Sequence, residues 1–224
     1  MKKYAVIVAG GSGHRMGATI PKQFLLLRGK TLLWYSLQTF LRSFDDMQVI
    51  LVLPEENITE GEKLTTGLQA VNRIRITAGG ATRFDSVKNG LALIKEPSIV
   101  FVHDGVRCLL TEQLIHRCYE QALAKGSAIP AVAAIDSIRL VQGEANEVVD
   151  RNLVRIIQTP QTFQSDLLLK AFQTDHKDSF TDEATVVEAS GNKVFLIEGE
   201  YENIKITRPA DLLIAEQVLA LREG

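Results

Sequence analysis

Two cations and a cluster of glycines share the stretch from Val8 to Lys22, VAGGSGHRMGATIPK. Glycines at 10, 11, 13 and 17 let a backbone turn tightly and approach a ligand closely, and amides exposed in such a turn form a concavity for anions. Phosphate is the natural guest. Arg15 and Lys22 add the positive charge that an oligophosphate needs as its bonds break, so the loop points to phosphoryl or nucleotidyl transfer. A Walker A loop is excluded, because Lys22 sits in Pro21-Lys22-Gln23 with no hydroxyl beside it. The glycines at 11, 13 and 17 give G-x-G-x-x-x-G, one residue too long for the dinucleotide fingerprint, which makes dinucleotide binding the runner-up.

Two further turns carry matching chemistry. Gly79-Gly80-Ala81-Thr82-Arg83 leads into a helix expected over 83–94, whose first turn sets Arg83 and Ser86 on one side, where a base, ribose or phosphate could be held. The most apolar strand, 99–102, ends in His103-Asp104-Gly105-Val106-Arg107. A carboxylate at the carboxyl end of a central strand suits Mg²⁺, which takes one or two carboxylates together with phosphate oxygens and water. Asp104 is therefore the metal candidate, and Arg107 a clamp for a second anionic substrate.

The elements that must position these residues alternate. Strands are expected over 4–8, 48–53, 73–77, 99–102 and 128–134 from short β-branched runs, and helices over 31–44, 83–94 and 111–125 from apolar spacing. Strand, glycine turn and helix in succession predict an α/β fold: a Rossmann-like, mostly parallel sheet with helices on both faces, both glycine turns lying at its carboxyl edge. Residues 136–142 and 147–158 alternate around a turn at 143–146, which predicts a projecting β-hairpin arm over 136–158. Its Ile138, Leu140, Val148, Val149 and Ile156 need cover, and a partner subunit supplies it, so a homodimer is expected. Ser165 and Thr181 read as N-caps, the acids Asp182 and Glu183 as helix first-turn residues. Strands are expected over 193–197 and 203–207, the second carrying Lys205, before a last helix opened by Pro209.

The 224 residues, 46% apolar with a net charge of −2, fit a single domain over 1–224 and give no basic face for nucleic acid or a membrane surface. Cys108 and Cys118 are too far apart for a C-x-x-C pattern, and the N-terminus runs directly into a strand, so a reducing, cytoplasmic location is expected.

The motifs AGGSGHRMGATIPKQF, GGATRFDSV, VHDGVR, VDRN, QTPQTF, TDEAT and NIKITRPAD, in this order over nearly the whole chain, resemble the 2-C-methyl-D-erythritol 4-phosphate cytidylyltransferases of non-mevalonate isoprenoid biosynthesis. The resemblance implies a homodimer that exchanges its β-arm and uses CTP with Mg²⁺ to cytidylate a polyol phosphate, releasing diphosphate. It implies that Ala9, Gly10, Gly11, Ser12 and Gly13 hold the nucleotide, completed by Gly80, Arg83, Ser86 and Gly105, that Arg15 and Lys22 stabilise the transition state, and that Asp104 binds the metal. Arg107, Ser137, Arg151, Thr159 and Lys205 would surround the polyol phosphate, Arg151 and Thr159 serving the partner's site.

The chain departs from the family pattern in three places. His-Asp-Ala-Ala-Arg-Pro is common where this chain has His103-Asp104-Gly105-Val106-Arg107-Cys108, an acid often stands where Ala81 does, and a threonine where Ser137 does. The serine keeps a hydroxyl. The related ribitol 5-phosphate cytidylyltransferase is the nearest alternative and a non-catalytic nucleotide-binding protein a more distant one; VDRN, TDEAT and NIKITRP favour the methylerythritol enzyme, and the paired cations with Asp104 favour catalysis.

Overall fold

The computed structural model describes residues 1–11, 20–68 and 70–223. Its central strand, β1 (Lys2–Val8), is apolar on both sides, as a strand covered by helices on both faces must be. Ala5 and Ile7 point into one core with Val49, Leu51 and Phe101, while Val6 and Val8 point into the other with Ile50, Val52 and Val102.

After β1 come the short pair β2 (Leu26–Leu27) and β3 (Lys30–Thr31), then α1 (Leu32–Ser43). Thr31 caps α1 by accepting the Trp34 amide proton at 3.1 Å, satisfying one of the orphan donors of the first turn. The chain continues through β4 (Met47–Leu53), α2 (Ile58–Thr66), β5 (Ile74–Ala78), α3 (Arg83–Leu91), β6 (Ser98–Asp104), α4 (Glu112–Lys125) and β7 (Ser127–Ala133). Next come β8 (Ile138–Gln142), β9 (Ala145–Val149), β10 (Arg155–Ile157), β11 (Gln161–Gln164), α5 (Ser165–Ala171), α6 (Glu183–Ala189), β12 (Leu196–Glu198) and α7 (Pro209–Glu223).

The main sheet has the order β10-β7-β11-β6-β1-β4-β5, with β12 also paired to β7. β5, β4, β1 and β6 are mutually parallel, and β11 is inserted antiparallel between β6 and β7. The chain steps outward from β1 to β4 and β5, then returns to β6 on the opposite side of β1. The sheet therefore reverses its winding between β1 and β6, the position where open α/β sheets lodge their ligands. Helices α1 and α4 cover one face, α3, α5 and α6 the other. Helix α3 comes so close that a Cβ on Gly90 would lie 2.6 Å from Val6 Cγ1.

Five expectations are corrected. The second arm strand stops at Val149, and Arg155–Ile157 joins β7 in the main sheet, so the free hairpin is only β8 with β9. Alternation reveals a two-sided strand but does not say which sheet receives it. Asp182, not Thr181, caps α6, accepting the Thr185 amide proton at 2.9 Å, and Ser165 lies inside α5, where its hydroxyl accepts from Ser98 N at 3.0 Å. Residues 203–207 run without a ladder, tied instead by Ile206 N donating to Val106 O at 3.1 Å. The strand expected over 193–197 begins at Leu196. Both cysteines are free and buried.

Candidate active site

The carboxyl ends of β1, β4, β5 and β6 open into one crevice of about 610 Å³, within the range of small-ligand sites. Ala9, Gly10, Gly11, Lys22, Gly80, Arg83, Ser86, Asp104 and Lys205 all line it. The strand ends are drawn level by backbone bonds just past the ladders. Ala9 N donates to Val52 O at 3.0 Å, Gly79 N to Leu53 O at 2.7 Å and Gly105 N to Val8 O at 2.9 Å.

Glycines in two of these turns make room for neighbouring side chains. A Cβ on Gly11 would fall 2.6 Å from Lys22 Cε, so the bare backbone at Gly11 lets the lysine stem cross the loop. At Gly80 a Cβ would meet Asp85 Cβ at 2.4 Å. The turn there is braced by a capping box between Thr82 and Asp85, and the Ser86 hydroxyl accepts from Gly80 N at 3.1 Å while donating to Thr82 O at 2.9 Å. Ser86 thus shapes the crevice wall as well as lining it.

Charge concentrates on Asp104, the last residue of β6. Arg83 Nε donates to Oδ1 at 3.2 Å, Lys205 Nζ meets Oδ2 at 2.8 Å, and Arg107 Nε stands 4.0 Å from Oδ2. Burial pushes the carboxyl up, but the charges of Arg83, Lys205 and Arg107 together hold it well below the usual carboxylate range. Asp104 is ionised at any working pH. Arg83 also forks onto Glu183 at the start of α6, with Nη2 donating to Oε2 at 3.1 Å and Nη1 to Oε1. Against burial, Glu183 and then Asp104 raise the Arg83 pKa above its ordinary value.

Arg107 does not line the crevice. Its guanidinium is buried against backbone, Nη1 donating to Asn203 O at 2.8 Å and Nη2 to Ile157 O at 3.4 Å. Gly105 packs behind the crevice, where a Cβ would lie 3.0 Å from Leu33 Cδ1 and 3.1 Å from Ala9 Cβ. Thr159 is buried within its own subunit, its hydroxyl bonded to Asp104 N at 3.1 Å and His103 Nδ1 at 3.0 Å, where the resemblance implied a place in the partner's site. Ser137 and Arg151 are exposed beside the hairpin, Arg151 Nη1 donating to Ile135 O at 2.7 Å. Arg15, Ser12 and Gly13 lie outside the described residues.

Glu183 and His103 were missed by sequence reasoning. The first was hidden by a sufficient alternative, since acids in a helix's first turn are explained by its dipole. The second has no spacing signal of its own; its neighbour Asp104 drew the attention. Among the described residues no three His, Cys, Asp or Glu side chains cluster as a metal site, and no helix is long and apolar enough to cross a membrane.

Four parallel strands bring glycine turns, two lysines, an arginine and a strand-end carboxylate to one crevice at the switch point of the sheet, an arrangement suited to nucleotidyl transfer, and the family that the chain matches is one of α/β nucleotidyltransferases. More narrowly, the chain belongs to the IspD family, 2-C-methyl-D-erythritol 4-phosphate cytidylyltransferase, whose model matches residues 4–221. It is 45% identical over 220 residues to the 2-C-methyl-D-erythritol 4-phosphate cytidylyltransferase of Bacteroides thetaiotaomicron, covering 98% of this chain and 100% of that one. The enzyme of the same name from Phocaeicola vulgatus is 43% identical over 219 residues, with 98% and 100% covered. Among solved structures, the 4-diphosphocytidyl-2C-methyl-D-erythritol synthase of Anaerococcus prevotii superposes with a TM-score of 0.83 at 28% identity, covering 98% of this chain and 96% of that one.

Proposed function

We propose that the protein transfers the cytidylyl group of CTP to 2-C-methyl-D-erythritol 4-phosphate, giving 4-diphosphocytidyl-2-C-methyl-D-erythritol and diphosphate in non-mevalonate isoprenoid biosynthesis. The observation that carries this reading is the meeting of Lys22, Arg83, Asp104 and Lys205 on one crevice at the switch point, in a chain of the IspD family.

An oxygen of the acceptor's phosphate attacks the α-phosphorus of CTP in line; the bond to the β-phosphate bridging oxygen breaks and diphosphate leaves. A phosphate monoester is already ionised near neutral pH, so no general base is required. Catalysis is then positioning and charge stabilisation. Lys22 and Arg15 stabilise the charge that builds on the triphosphate, the Gly80 turn and Ser86 shape the nucleotide wall, and Lys205 offers a cation to the incoming phosphate.

Asp104 fits a magnesium ion: it is an ionised carboxylate on the crevice wall, and Mg²⁺ asks the protein for only one or two such groups when phosphate oxygens complete its shell. Bound there, the ion would neutralise part of the triphosphate charge.

A homodimer built through the hairpin belongs to the same proposal, supported by Leu140, Val141 and Val148, which are 55%, 70% and 72% exposed. Cytoplasmic residence is supported by the two free, buried thiols.

The test is diphosphate release with 2-C-methyl-D-erythritol 4-phosphate or ribitol 5-phosphate as acceptor, with CTP or UTP, and with or without Mg²⁺. Release is expected with the first acceptor, CTP and Mg²⁺. Release only with ribitol 5-phosphate would assign the chain the other acceptor.

A further inference from the structure

Glu183 does not line the crevice, yet its side chain is more deeply buried than that of Asp104, 1% exposed against 10%. Both its oxygens are taken by the terminal nitrogens of Arg83, which leaves Nε as the atom that reaches Asp104. Arg83, Lys205 and Arg107 all stand within 4.0 Å of the Asp104 carboxylate. Glu183 therefore answers one of three positive charges gathered on a single acid. A carboxylate inside a fold, away from solvent, is retained only where its charge is matched.

From this geometry we infer that Glu183 is a positioning residue that balances Arg83, so that Asp104 stays available to the divalent cation arriving with the nucleotide. The inference rests on the CTP and Mg²⁺ reading above. With Glu183 ionised, the field of the guanidinium at Asp104 is partly cancelled. Without that charge, Arg83 competes with the metal for Asp104 and at the same time attracts the bare triphosphate more strongly. Metal-free and metal-bound nucleotide must then respond in opposite senses, which a merely structural role would not produce.

The experiment measures CTP dissociation constants by calorimetry, in EDTA and in saturating Mg²⁺, and compares their ratio, the factor by which metal improves binding. In Glu183→Gln the ratio is expected to fall about tenfold, within the range of ordinary coupling between sites, with CTP in EDTA bound at least as tightly as in the unmodified protein. Glu183→Asp keeps the charge and should hold the ratio within about twofold of the original. Should Glu183→Gln melt below the assay temperature, Arg83→Gln/Glu183→Gln, which removes both buried charges together, carries the test: with no guanidinium competing, its ratio should not fall. A ratio unchanged in Glu183→Gln, or lost equally in Glu183→Asp, or a fall in the double variant, overturns the role of Glu183 and leaves the nucleotide reading standing. Failure of the unmodified protein to bind CTP in either condition overturns both.

Discussion

The Thr159 hydroxyl accepts the amide proton of Asp104 at 3.1 Å. Its own proton is therefore free to go to His103 Nδ1, 3.0 Å away, and the other ring nitrogen, Nε2, faces Arg107 O at 3.3 Å as a donor. This arrangement defines a neutral imidazole with its hydrogen on Nε2. It ties the end of β6 to the segment leading into β11, so the backbone beneath the metal candidate is held from behind. Thr159→Val should leave the Asp104 amide and His103 Nδ1 unpaired in a buried setting and cost about 1–3 kcal/mol per unsatisfied group. Thr159→Ser, which keeps the hydroxyl, should recover most of that loss; urea denaturation of both variants checks it.

The same histidine predicts a pH dependence. Burial pushes His103 down to about 3 from its ordinary 6.5, against the pull of Asp104. Below pH 6.5 the unfolded chain takes up a proton that the folded chain refuses, so stability falls as pH drops through that window. Between pH 8 and pH 5 the loss amounts to about 2 kcal/mol. The depressed Asp104 carboxyl works in the same direction, but only near and below its ordinary value of 3.8. Unfolding free energies from urea denaturation at pH 8 and pH 5 should therefore differ less in His103→Gln than in the unmodified protein, by about 2 kcal/mol. Equal differences in the two proteins would mean that His103 titrates alike in the folded and the unfolded chain.

Lys22→Ala and Arg15→Ala are each expected to lower turnover by at least about 10²–10³, the typical loss of a preorganised transition-state donor, with circular dichroism unchanged. Either variant retaining near-normal turnover would remove its side chain from the mechanism.

Gly80→Ala isolates the second turn. The added methyl would lie 2.4 Å from Asp85 Cβ and 3.2 Å from the Asp85 carbonyl carbon, so the capping box or the turn must shift. Because the Gly80 amide also donates to Ser86, the crevice wall moves with it. A raised KM for CTP with a smaller change in kcat is expected from steady-state rates at saturating acceptor.

The site's legibility in the chain itself depends on the range over which each signal acts. Gly11, Gly80, Arg83 and Asp104 were legible because each stands at a strand end or a helix start, and topology alone carries such positions to one rim. Lys205 was placed near the site only loosely, since 203–207 has a strand's alternation but no ladder; Asn203 Nδ2 donating to Thr159 O at 2.8 Å holds it instead. Arg107 looked like a substrate clamp because one-dimensional spacing cannot show that its guanidinium turns inward to Asn203 O and Ile157 O. Glu183 escaped for the opposite reason: Asp182 beside it is the true cap, and only the three-dimensional meeting of α6 with α3 reveals that the next acid serves Arg83.

The hairpin of β8 and β9 carries apolar side chains on both of its faces. Its register sets Ile138 opposite Val149 and Leu140 opposite Glu147 on one face, with Arg139 opposite Val148 and Val141 opposite Asn146 on the other. An isolated two-stranded ribbon is marginal in water, and a single neighbouring surface would cover only one of these faces. A groove in a second copy, or the second copy's own hairpin, can cover both. Val141→Glu/Val148→Glu places two like charges on one face, at positions 70% and 72% exposed in the single chain, so the fold of the body should survive. Sedimentation velocity is expected to give a monomer's mass for this variant and a dimer's for the unmodified protein. Since Arg151 comes directly after the hairpin, activity should fall with the dimer by at least about tenfold, the scale of losing one charge-assisted contact. A double variant that remains dimeric would mean that the subunits meet through another surface.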